Sequence, residues 1–239
     1  MANPLDDAEL WWLDAPFGCG GVYAVGGQIV RGGAPIFDKL TGYHIDKLPT
    51  SHKYEYIGVN RLSSGVASGQ AKMTVILREL IHVIRKQFAL SWKGVHGAPH
   101  WARVRVNGLR LAKTTGANTE VVELFAFLHD SQRVNDYDDP NHGNRAARFA
   151  EMLAGRLFEL NQADLEDLLT ACRGHGDGLS EGNITVLTCW DADRLDLGRV
   201  GIKPHPNYLC TDAARDPAML EWAYKRSVRS VQSHGDYIA

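Results

Sequence analysis

The segment Val121–Ala147, VVELFAFLHDSQRVNDYDDPNHGNRAA, sets an imidazole beside a carboxylate, His129-Asp130, at the end of its most apolar helical run. Arg133, three aspartates and His142 follow at once. Burying an unpaired charge is costly, on the order of several kcal/mol. A metal ion would offset that cost. Other groups of the same chemistry recur near helix ends or on apolar stripes. His100 opens one helical segment, and His142 lies in the first turn of another. Leu165, Leu168, Cys172 and His175 line one stripe. Asp193 shares a stripe with Val186, Trp190 and Leu197, but Asp191 shares one with Leu187 and Leu195. Periodicity alone permits either aspartate.

Two imidazoles and two carboxylates make a mixed nitrogen and oxygen site, suited to Mn, Fe, Co, Ni, Zn or, less well, Mg. No thiolate belongs to the set.

The ordered series His100, His129-Asp130, Asp193 resembles the H…HD…D signature of the HD superfamily of metal-dependent phosphohydrolases. HWARV is similar to that family's first-histidine motif, FAFLHD to its HD motif, and DADRLD to its final ADxL motif. The last of these singles out Asp193 over Asp191. The likeness spans roughly residues 72–200. It implies a divalent ion held by His100, His129, Asp130 and Asp193. A cation there activates water and polarises a phosphoryl oxygen. The implied reaction is hydrolysis of a phosphate ester, with a nucleotide as the substrate class.

Asp130, Arg133, His142 and His175 are the residues expected to serve that reaction. His142 and His175 fall where many members carry extra histidines for phosphate or a second metal, so the ion count is one or two, with one preferred. Arg133 stands where hydrolytic members often have lysine. It keeps positive charge and bidentate phosphate recognition but cannot donate a proton. Two other readings use the same residues: a non-catalytic module that binds a nucleotide as a signal, and a di-iron oxygenase with His142 and His175 as ligands.

The elements that must position these groups are helical. KMTVILRELIHVIRKQFAL repeats apolar residues at helical spacing, and Pro99 marks the start of the next helix. Asn118 or Thr119 caps EVVELFAFLHD, and Asp139-Pro140 opens NHGNRAARFAEMLAGRLFEL. Asn161 and Asp164 form a capping-box-like start for NQADLEDLLTACRGH. NITVLTCWDADRLDLGRV reads as one helix, KPHPNYLCTDAARD as loop and AMLEWAYKRSVRSV as a short helix. Residues 1–68 read differently: they are rich in Gly, Pro and aromatics, with a hairpin across Gly26-Gly27. LSSGVASGQ, residues 62–70, reads as a linker. The expected fold is mainly α, an HD-type helical domain over 69–239 preceded by a small β-rich module over 1–68.

A net charge of -2 over 239 residues gives no reason to expect a nucleic-acid or membrane partner. Four scattered cysteines fit a reducing cytoplasm, and the amino-terminal residues do not resemble a signal peptide. The expected partner is a small phosphate ester. Trp11 and Trp12 suggest either packing between the two parts or a surface for a protein partner or second copy. His96 reads as a loop histidine, Asp136, Asp138 and Asp139 as a solvated loop or helix caps, and Arg194 as paired with a carboxylate. His44, His52, His82, His205 and His234 read as ordinary. GCGGVYAVGG lacks the GK[ST] of a phosphate loop.

Overall fold

A computed structural model describes residues 23–25, 28–30 and 69–235. The chain divides into two units, Met1–Thr74 and Val75–Ala239. In the first, strands β1 (Tyr23–Val25) and β2 (Gln28–Val30) pair antiparallel, Tyr23 opposite Val30 and Val25 opposite Gln28. That pairing agrees with the two strands expected on either side of Gly26-Gly27, which themselves lie outside the described residues. The rest of the expected β-rich module, and most of the expected linker, lie outside the described residues. The linker's last two residues, Gly69 and Gln70, already belong to a helix.

The described remainder is helical: α1 (Gly69–Gln87), α2 (Ala98–Thr115), α3 (Thr119–Leu128), α4 (His142–Leu153), α5 (Gln162–Gly174), α6 (Ile184–Arg194), α7 (Asp212–Arg215) and α8 (Pro217–Gly235). Asparagine caps three of these. Asn118, Asn161 and Asn183 each accept from the first backbone N–H groups of α3, α5 and α6. α3 is buried nearly all round: Val121, Val122, Leu124, Phe125, Phe127 and Leu128 are all shut off from solvent. A helix apolar on every side must be central. α2, α5 and α6 pack around it. Asn107 of α2 donates to the Ala192 carbonyl of α6 (3.1 Å), and Trp190 Nε1 of α6 donates to the Ala171 carbonyl of α5 (3.0 Å).

Several boundaries depart from the sequence reading. α4 begins at His142, with Asn141 rather than Asp139 at the cap position. Asp139 is occupied elsewhere: its carboxylate accepts from Val134 N (2.9 Å) and pairs with Arg145. α4 also stops at Leu153, because Ala154 turns extended and Gly155 takes φ +73°, a left-handed value that glycine reaches without a Cβ clash. The helix expected to run to Val200 breaks at Leu195, and a short 3-10 turn, Leu197–Val200, follows. The expected loop after it contains a 3-10 turn, Pro206–Tyr208, and α7, whose start Thr211 caps. α8 is longer than expected. Against α7 and α8, Leu111, Leu195, Leu209, Ala214, Met219 and Ala223 form a second apolar cluster. No helix among the described residues is long and apolar enough to cross a membrane.

Candidate metal centre

Helix ends deliver the site. His100 sits in the first turn of α2, His129 directly follows α3 with Asp130 beside it, and Asp193 lies one residue before the end of α6. His142 opens α4 and His175 follows α5. The structure brings all six together. His100 Nε2 stands 3.0 Å from His129 Nε2, 3.6 Å from Asp130 Oδ2 and 3.3 Å from Asp193 Oδ1. His129 Nε2 stands 3.7 and 3.9 Å from the same two oxygens. On the other side of Asp130, Oδ1 lies 3.4 Å from both His142 Nε2 and His175 Nε2, which are 2.8 Å apart. Asp130 thus turns one oxygen to each histidine pair.

Hydrogen-bond partners assign the tautomers. His100 Nδ1 donates to Asp196 Oδ2 (2.7 Å), and His129 Nδ1 to the carbonyls of Phe125 and Ala126 (3.1 Å each). His142 Nδ1 donates to the Asp139 carbonyl and His175 Nδ1 to the Cys172 carbonyl. Each Nδ1 proton is therefore committed outward, and each Nε2 faces the centre. Burial pushes His129 down to about 3, against the raising effect of Asp130 and Asp193, so its ring is neutral at pH 7. His129 Nε2 then faces His100 Nε2 across 3.0 Å with no proton of its own to share. Asp193 Oδ1 is buried with no hydrogen-bond partner. Such an orphaned oxygen costs about 1–3 kcal/mol, and more when charged.

These groups fit a divalent ion. Ligand atoms about 2.0–2.2 Å from a common ion stand roughly 3–4 Å from one another, and every distance in the first group falls in that window. Both His100, His129, Asp193 and His129, Asp130, His175 are close enough to act as ligand sets. The carboxylates are ionised as ligands must be. Burial works to raise Asp130, but the adjacent His129 ring, then the hydrogen bond and charge of His175, hold it well below the usual range. Burial likewise opposes Asp193, which His100, His129 and Arg199 hold below that range.

Asp191 does something else. It accepts from Cys210 N (2.7 Å), Thr211 N (2.8 Å) and Thr211 Oγ1 (2.8 Å), tying α6 to the segment before α7. Of the two aspartates that periodicity allowed, Asp193 is the one beside the histidines.

Arg133 is buried and reaches the second pair: Nη1 lies 3.1 Å from His142 Nε2 and 3.4 Å from Asp130 Oδ1. Its Nη2 donates to the Tyr137 carbonyl (2.9 Å). Two neighbours, Asp196 and Arg199, escaped the sequence reading. Asp196 holds His100 and also takes Arg103 Nε (2.6 Å). Arg199 Nη1 lies 4.0 Å from Asp193 Oδ1. His96, expected as a loop histidine, lies in the turn before α2, buried and bonded to Asp136 (2.9 Å), and burial pushes its pKa down. Asp196 carried a signal, standing one helical turn after Asp193 in DADRLD. Arg194 was misassigned: it donates to the carbonyls of Tyr208 and Leu179 and to Cys210 Sγ, and no carboxylate is among these partners. Asp139 is buried rather than solvated.

The chain matches no protein-family model and no curated protein. Among solved structures it is similar to a predicted HD superfamily hydrolase from an uncultured Thermotogales bacterium. Identity is 24%, over 68% of this chain and 93% of that one, with a TM-score of 0.48.

Proposed function

We propose that this chain is a metal-dependent phosphohydrolase that cleaves a phosphate ester, with a nucleotide as the substrate class. One observation carries the reading: His100 Nε2, His129 Nε2, Asp130 Oδ2 and Asp193 Oδ1 converge in one buried cluster, and the last has no partner of its own. These four residues hold the ion, one of Mn, Fe, Co, Ni, Zn or Mg. A bound divalent ion supplies Lewis acidity toward a phosphoryl oxygen and lowers the pKa of water.

The protein's own groups do the rest. Asp196 fixes the tautomer and orientation of His100. Asp130, ionised and shared between the two histidine pairs, orients the attacking water. Arg133 and Arg199 put guanidinium charge on either side of the carboxylates, suited to an anionic ester. His142 and His175 complete the pocket beside Asp130. The domain division is residues 1–68 and 69–239, the setting is the cytoplasm, and the amino-terminal part recruits a protein partner or second copy.

The test is elemental analysis of purified protein followed by phosphate release from a panel of nucleotides, with added Mn(II) and with chelator. Metal-dependent release is expected. A metal-loaded protein that releases phosphate from no ester, while binding nucleotide, would return the site to a signalling module.

A further inference from the structure

The two histidine pairs are built alike but differ in one neighbour. At the first, the two Nε2 atoms face each other and Asp193 Oδ1 is left without a hydrogen-bond partner. At the second, Arg133 Nη1 lies 3.1 Å from His142 Nε2 and 3.4 Å from Asp130 Oδ1. The guanidinium is tied in place by the backbone. Nη2 donates to the Tyr137 carbonyl (2.9 Å) and Nε to the Asn135 carbonyl (3.4 Å). A second ion on His142 would need the same Nε2 lone pair that faces Arg133.

Charge leads to the same conclusion. The first pair has two carboxylates, Asp130 and Asp193, which balance a dication. On the other side the histidines face one carboxylate, Asp130, whose second oxygen already faces the first pair, and the ligand group His129, Asp130, His175 likewise has Asp130 as its one carboxylate. A second dication would stand there with its charge largely unbalanced, beside a buried guanidinium. A tethered monocation fits that balance better.

We infer that Arg133 is a built-in second cation: its guanidinium takes the place that a second metal would occupy on His142, His175 and Asp130, and so keeps the centre mononuclear. This rests on the metal site proposed above. Arg133 is here a positioning residue as well as a phosphate contact. It holds the second histidine pair and one oxygen of Asp130 without a metal.

The experiment counts ions in the full-length protein. Chelator-stripped protein is loaded with excess Mn(II), desalted and measured by mass spectrometry and by electron paramagnetic resonance. Wild type should hold one Mn(II) per chain with an uncoupled signal. Arg133→Ala and the near-isosteric Arg133→Gln should each rise to two, with a spin-coupled signal. Arg133→Lys, which keeps the charge, should stay nearer one. Adding His175→Ala to Arg133→Ala should return the count to one.

Two ions in the wild type, or one in both neutral variants, would overturn the inference and leave the metal-site reading standing. Two ions retained after His175→Ala would place the extra ion elsewhere and overturn it as well. No ion in the wild type would end both. A wild-type count of two overturns the inference even if every variant misfolds, and Arg133→Lys, which keeps the buried charge, guards the comparison against misfolding of the neutral variants.

Discussion

His100 and His129 point their Nε2 atoms at each other across 3.0 Å, and each has already given its Nδ1 proton to an outward acceptor. Burial holds His129 neutral, so its Nε2 turns a lone pair and no proton toward the His100 Nε2 that it faces. The arrangement is unfavourable by itself and becomes favourable around a cation. That preorganisation gives the centre its consequences.

Asp130→Ala should remove metal retention and phosphate release together while the helical content stays near wild type. The side chain meets both histidine pairs, and its loss leaves no carboxylate between them. Circular dichroism, metal analysis and a phosphate assay check the three parts. Full activity in this variant would show that the site is wrongly assigned.

Asp196→Asn and Asp191→Asn should separate tuning of the ion from support of the fold. Asp196 accepts from His100 Nδ1, and losing such a partner lowers metal affinity by about 10–100-fold. Asp191 accepts three hydrogen bonds from Cys210 and Thr211. Its replacement should cost about 1–3 kcal/mol of stability with metal affinity nearly unchanged. Titration calorimetry and urea unfolding read the two effects. Equal loss of affinity in both variants would refute the distinction.

The apo-protein should lose stability as pH falls from about 6.5 toward 3. Unfolded His129 takes a proton near its ordinary value of about 6.5, whereas burial pushes the folded ring down to about 3. Across that window the unfolded state binds the proton first, so each pH unit favours unfolding by on the order of 1 kcal/mol. His175 works the other way. Burial would lower it, but the hydrogen bond and charge of Asp130 raise it, so its contribution is present below 6.5 and fades as pH rises through its folded value. Urea unfolding of chelator-treated protein at pH 7 and pH 5 gives the net slope, and His129→Gln should flatten it. An unchanged slope in that variant would rule out His129 as the source.

Much of the site was legible because its ligands sit where helices begin or end. The asparagine caps at 118, 161 and 183 fix where α3, α5 and α6 begin by local chemistry alone, and the spacing of apolar residues from there puts His129 and His175 at the far ends and toward the core. The HD resemblance chose Asp193 where periodicity could not, and the geometry shows why it matters: Asp191 is used up by the backbone of Cys210 and Thr211. Asp196 and Arg199 were hidden because they act only after the chain breaks from helix at Leu195 and folds back in a 3-10 turn. His96 is the loop histidine it was read as, but its burial and its partner were not legible. Its partner Asp136 is 40 residues away, in a loop whose path no periodicity describes. Asp139 looked like a cap from its Asp-Pro sequence, but the Arg145 guanidinium competes for the same carboxylate and the helix starts later.

Gly108 and Gly143 let the site-bearing helices approach, and alanine at each should fail differently. A Cβ on Gly108 would stand 2.5 Å from Val122 Cγ1 and 3.3 Å from Ala192 Cβ, where α2, α3 and α6 meet. Overpacking of this kind costs about 1–3 kcal/mol. Because the nearest obstacle is a side chain, Val122→Ala should recover part of that loss, making the double variant less destabilised than the sum of the two. A Cβ on Gly143 would instead meet the backbone carbonyls of Cys172 and Arg173 at 2.6 and 2.7 Å. No side-chain trimming removes a carbonyl, so α4 must shift from α5 and carry His142 away from His175. Gly143→Ala should therefore loosen the second histidine pair and weaken the fold, yet spare the ion on the first pair, whose residues lie on α2, α6 and the end of α3. Thermal unfolding and metal analysis of the four variants, the two singles, their double and Gly143→Ala, check this. Additive losses in the Gly108 and Val122 pair would show that the backbone, not the valine, sets the closeness of α2 and α3.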